Sequence, residues 1–116
     1  MGIQRFTAES SADEVASALA ADGVAIVERA VPESVVDAVL AEMEPHIQAT
    51  PTGIDDFMGR NTRRTGSLLT RSTTSHDLVM HPLVIGVCDR VLGERASTYK
   101  LHLTQEIDVG PGTPKQ

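Results

Sequence analysis

Apolar and polar residues alternate with two different periods along this chain, and each change of period marks a change of element. Ser11-Ala12-Asp13-Glu14 has the form of a capping box, a Ser whose hydroxyl closes the helix start and a Glu three residues on that reaches back. An alanine-rich helix follows with Val15 and Leu19 on one face, and Asp22-Gly23 ends it. Val24-Ala25-Ile26-Val27 is then a short apolar run with β-branched residues, which predicts a strand. Val31-Pro32 opens a second helix, in which Val35, Val36, Val39, Leu40 and Met43 make one apolar stripe. Glu33, Asp37, Glu42 and Glu44 fall between and read as solvated, and Pro45 closes or kinks the run.

From Gln48 to Thr74 no apolar period is sustained, and the segment reads as a long loop. Ser75 is placed to cap one helical turn that reaches Met80. His81-Pro82 then starts a third helix with Leu83, Val84, Val87, Cys88, Val91 and Leu92 as its buried stripe and Gly93 at its end. From 97 to 109 the period becomes two: Tyr99, Leu101, Leu103, Gln105, Ile107 and Val109 share one face of a predicted strand. Lys100, His102, Thr104, Glu106 and Asp108 share the other. The chain therefore reads as one α+β unit: helix–strand–helix over 10–47, a loop over 48–74, helices over 75–93 and a strand over 97–109. One long and one short strand cannot close a sheet, so this architecture wants more strands to pack on.

Composition narrows the function classes. With 116 residues the chain fits one small domain or part of a larger one. Aromatic residues are 3% with no Trp, so a core must rest on Val, Leu, Ile, Ala and Met. A net charge of −6 argues against a protein that coats nucleic acid. The single cysteine excludes an internal disulfide and a thiolate zinc cage. No apolar run approaches the length that spans a bilayer, and no signal pattern opens the sequence, so the expected location is the cytoplasm.

Candidate chemistry is sparse. The four histidines, His46, His76, His81 and His102, do not show metal-ligand spacing. Cys88 lies on an apolar stripe with no activating partner in view, as a small buried hydrophobe would. The conspicuous polar feature is Arg60, Arg63 and Arg64, whose guanidinium groups suit carboxylates and phosphates. They either receive an anionic ligand or pair internally with Asp55, Asp56 or the acidic helices. Gln105 interrupts an apolar face, as a polar anchor in a barrel mouth or the exposed end of a strand would.

Several segments in this order resemble the phytanoyl-CoA dioxygenase family of Fe(II)- and 2-oxoglutarate-dependent oxygenases. They are Asp22-Gly23-Val24-Ala25-Ile26-Val27-Glu28 with Val31-Pro32, then Thr62-Arg63-Arg64-Thr65-Gly66-Ser67-Leu68-Leu69. His81-Pro82-Leu83-Val84 and Asp89-Arg90-Val91-Leu92-Gly93 follow. The last is Leu101-His102-Leu103-Thr104-Gln105-Glu106-Ile107 with Pro111-Gly112 and Gln116. The resemblance runs from about Ser11 onward.

It implies the N-terminal helices and first strands of a double-stranded β-helix (jelly roll), incomplete within this chain. It also implies iron(II) held by a His-x-Asp and a distal His, with 2-oxoglutarate as cosubstrate and a small organic molecule as substrate. The chain contains no His-x-Asp, so the resemblance implies the front part of such an enzyme, inactive alone, with no metal ligand or catalytic residue of its own. By the same resemblance Lys100 and Gln105 are candidates for cosubstrate contacts, and Arg63 and Arg64 for substrate contacts at the active-site rim. A one-residue slip in register would pass the role of Gln105 to Thr104 or Glu106 and reverse the face. Two other readings stand beside this one. One is a non-catalytic α+β domain that binds an anion or partner through Arg60–Arg64. The other is a degenerate relative that self-associates through its unpaired strand.

Overall fold

A computed structural model describes residues 2–114 of the chain. Nine elements follow in order: β1 (Arg5–Thr7), α1 (Ala12–Asp22), β2 (Ile26–Glu28), α2 (Glu33–Ala49), β3 (Thr62–Gly66), α3 (Leu68–Arg71), α4 (Ser75–Val79), α5 (Pro82–Gly93) and β4 (Gln105–Val109). They form two compact units. One holds residues up to Val36 together with His76–Lys100, and the other holds Asp37–Ser75 with the residues from Leu101 onward.

In the first unit the capping box forms as the sequence predicts. The Glu14 amide donates to Ser11 Oγ, and the Ser11 amide donates to the Glu14 carboxylate at 3.0 Å. Gly23 closes α1 at φ +74°, a left-handed conformation that glycine adopts without a Cβ clash. The strand after it begins two residues later than its apolar run suggests. It pairs in parallel with β1, a three-residue strand that the sequence pattern does not reveal, in the register Arg5↔Ile26, Phe6↔Val27 and Thr7↔Glu28.

Helix α5 lies against α1. Val15 and Ala18 of α1 and Leu83 of α5 are buried, whereas Val84, Val91 and Leu92 of the predicted stripe are exposed. Close approach is set by Gly86, where an added Cβ would stand 2.9 Å from Ala12 Cβ. The Arg90 guanidinium bonds Asp13 and holds its carboxyl below the usual range. His81 is the N-cap of α5. Its Nδ1 accepts from the Leu83 amide at 3.2 Å and its Nε2 lies 2.9 Å from the Ala30 carbonyl, so both ring nitrogens serve the fold.

In the second unit α2 continues through Pro45 for another turn rather than stopping there. Pro45 lacks the amide for one helical bond, but Met43 and Ile47 on either side are buried, and that packing outweighs the local loss. Glu42 is not solvated. Its carboxylate accepts from the Ser72 and Thr74 hydroxyls and from the Thr74 amide, tying the 72–74 turn to α2. Ser72 Oγ, rather than Ser75, supplies the acceptor at the start of α4, taking the Ser75 amide at 3.1 Å.

The predicted 48–74 loop contains β3 and α3. The strand escapes an apolar-pattern reading because Thr-Arg-Arg-Thr-Gly has no hydrophobic residue, although Thr62 and Thr65 are buried. The predicted 97–109 strand contracts to β4, since only Gln105–Val109 finds a partner strand.

Candidate functional site

The candidate site lies in the second unit, on the antiparallel pair β3–β4. The register is Thr62↔Val109, Arg63↔Asp108, Arg64↔Ile107, Thr65↔Glu106 and Gly66↔Gln105. Directly opposed residues share a face, so Arg64, Gln105, Ile107 and Val109 lie on one side and Arg63, Asp108, Thr65 and Glu106 on the other. Thr104 helps fix where β4 starts, its hydroxyl accepting the Leu68 amide at 3.2 Å.

The second face is committed to structure. Arg63 Nε donates to the Thr50 carbonyl at 3.1 Å, and its guanidinium stands 3.5 Å from the Asp108 carboxylate. The Thr65 hydroxyl donates to Thr50 Oγ1 at 3.0 Å. Glu106 is the discordant member. Its Oε2 is buried and accepts no hydrogen bond among the described residues, and burial, then Asp108 and Glu44, push its carboxyl pKa up.

The first face is different. Ile107 and Val109 are 52% and 58% exposed. Arg64 reaches from this face to donate to the Met58 carbonyl. That carbonyl belongs to a tight loop closed at its neck, where the Gly53 amide donates to both the Gly59 and Thr62 carbonyls at 3.1 Å. Gly53 is required there, because a Cβ would meet the Gly59 oxygen at 2.6 Å. Asp55 accepts the Met58 amide at 2.7 Å inside the loop, and Ile54 and Phe57 project from its tip, 80% and 90% exposed. Beside it is an open pocket of about 710 Å³ with Asp56, Phe57, Arg60, Asn61, Arg64 and Thr113 in its wall.

The structure thus separates the predicted site residues. Arg64 and Gln105 share one face, diagonal neighbours across the ladder. Arg63 points to the other face. Lys100 is exposed in the irregular stretch after α5 and belongs to the first unit. Arg60 pairs with Asp56 at 2.9 Å and donates to the Ile54 carbonyl at 3.1 Å. Phe57, Asn61 and Thr113 were not singled out by sequence reasoning. The one available signal was an aromatic residue standing between two acids and an arginine in a polar segment.

Residues 19–116 match the family model described as phytanoyl-CoA dioxygenase. The chain belongs to the phytanoyl-CoA dioxygenase family. Similar proteins include multifunctional dioxygenase prhA of Penicillium brasilianum, 28% identical over 98% of this chain and 40% of that protein. Dioxygenase FrzG of Cladobotryum sp is 26% identical over 98% of this chain and 42% of that protein. Fe(II)/2-oxoglutarate-dependent dioxygenase nvfF of Aspergillus novofumigatus (strain IBT 16806) is 30% identical over 98% and 42%. The chain spans about two fifths of the length of these curated relatives.

Within this phytanoyl-CoA dioxygenase-family chain, no group of three or more His, Cys, Asp or Glu among the described residues could hold a metal ion. These residues on their own do not fit an iron centre. No helix among them is long and apolar enough to cross a membrane.

Proposed function

We propose that this chain is the N-terminal part of an Fe(II)/2-oxoglutarate-dependent dioxygenase that hydroxylates a small organic substrate. In the overall reaction one oxygen atom of O₂ enters the substrate as hydroxyl. The other enters 2-oxoglutarate as it loses CO₂ to become succinate. The iron ligands then come from residues other than those described here. The observation that carries this reading is the shared face of Arg64 and Gln105 in a chain of this family.

The roles follow from that face. Gln105 offers an amide with both donor and acceptor character to the cosubstrate. Arg64 offers a guanidinium to a carboxylate or polar group at the site rim. Arg63, held by Thr50 and Asp108, is a positioning residue that fixes the ladder from which Arg64 projects. Lys100 is the second cosubstrate candidate, a flexible cation whose approach depends on the segment between α5 and β4. Exposed Leu103, Ile107 and Val109 form the surface on which further strands of a double-stranded β-helix would pack.

Reading the coding DNA that follows the Gln116 codon tests this proposal. An in-frame His-x-Asp within about ten residues, with a distal His, is the expected result, because the facial triad needs those ligands. A continuous reading frame without them, or an immediate stop codon, would overturn it.

A further inference from the structure

The pocket beside the Gly53–Gly59 neck combines features that the family reading does not use. Its volume of about 710 Å³ falls within the range that accommodates a small organic ligand, about 300–1,000 Å³. Phe57 is part of its wall, 90% exposed on a loop whose backbone is locked by hydrogen bonds at neck and tip. A solvated phenyl ring on a rigid support offers apolar contact at little ordering cost, since its loop is already fixed.

Arg60 stands three residues on, oriented by the Ile54 carbonyl. Its partner Asp56 has a side chain 94% exposed, and an ion pair that open is weak and screened by salt. A ligand carboxylate bound bidentately on the guanidinium can displace such a partner. Arg64, from the β3–β4 face, Asn61 and Thr113 are the other polar residues of the wall.

We infer that this pocket takes an organic monoanion with an apolar, ring-sized body, the carboxylate on Arg60 and the body against Phe57. The inference rests on the small-molecule reading of the family site and names the substrate class for it. It requires the charge and the body together. A bare anion meets the polar residues without the ring, and a neutral apolar molecule meets the ring without the charge.

The test is a titration of the 116-residue chain without metal, followed by NMR of the Arg60 side chain and the Phe57 ring. Three probes are used: phenylbutyrate, its neutral counterpart phenylbutanol, and butyrate, which lacks the ring. Phenylbutyrate is expected to shift both residues and to bind roughly tenfold more tightly than either other probe, the loss of one charge-assisted contact being worth about that factor. Arg60→Gln should abolish the preference over phenylbutanol, and Phe57→Ala the preference over butyrate. Both substitutions lie on exposed side chains, and an unchanged melting temperature shows that the variants fold.

Equal binding of the three probes would overturn the inference, as would no shift at either residue. So would 2-oxoglutarate, added as a fourth probe, binding as tightly as phenylbutyrate, which would make the pocket a plain anion site. Because the readout needs no iron and no turnover, its failure is distinct from failure to find the His-x-Asp.

Discussion

Arg63 and Arg64 are neighbours in sequence but stand on opposite faces of the β3–β4 ladder, Arg63 paired with Asp108 at 3.5 Å and Arg64 opposite Ile107. The two should therefore respond differently to the same substitution. Arg63→Gln removes a charge-assisted bond to the half-buried Thr50 carbonyl and the ion pair to Asp108, at a cost of about 1–2 kcal/mol. Arg64→Gln should cost less, because the Met58 carbonyl it engages lies where water can replace it. Urea unfolding of both variants measures the difference. Equal losses would contradict the division of roles.

The α1–α5 contact makes a second prediction with a counterintuitive sign. Replacing Gly86 by Ala improves helix propensity by about 1 kcal/mol. The new methyl would sit 2.9 Å from Ala12 Cβ, and such overpacking costs typically 1–3 kcal/mol. Gly86→Ala should lower the melting temperature, and adding Ala12→Gly should recover part of it. A stabilised Gly86→Ala would show that the helices lie further apart.

The Glu106 carboxyl gives a pH signature. Its pKa is raised in the folded chain by burial first, then by Asp108 and Glu44. The folded state then holds a proton that the unfolded chain releases at the ordinary carboxylate pKa. Stability falls as pH rises from that value through the folded one, and the deficit is complete above it. Glu106→Gln removes the deficit. The variant should melt higher than the parent at neutral pH and equally below about pH 4, where the parent carboxyl is protonated in both states. A gain that persists at low pH would assign the effect to something other than ionisation.

How legible the fold was depended on where its information lies. The capping box at Ser11, the left-handed Gly23 and the Pro82 start of α5 are local chemistry, and the structure reproduces each. The polar strand β3 was invisible because its burial comes from threonines, which carry no apolar period. The role of the Glu42 carboxylate is not legible in the sequence because helical spacing places it off the stripe, while its partners lie about thirty residues downstream. The split of Arg63 from Arg64 needed the register with β4, a long-range fact. The resemblance carried by the ordered segments reached the family, which neither composition nor period could do.

Tyr99 reports on the first unit. Its hydroxyl donates to Asp89 Oδ1 at 2.6 Å, and that bond, then burial and nearby charge, pushes its pKa up to about 12. It is the only tyrosine in the chain, so ultraviolet titration of tyrosinate reads it alone. Asp89→Asn should bring the titration back toward the ordinary value of about 10. An unchanged midpoint would mean that Asp89 is not the controlling partner.

Consumption of 2-oxoglutarate by an oxygenase that contains these residues is our proposal. Its most direct test is succinate formation by the protein made from the whole reading frame that contains them, with iron(II), O₂ and 2-oxoglutarate supplied. The expected result is succinate whose formation requires both added iron and 2-oxoglutarate. A folded protein that forms none under those conditions would contradict it.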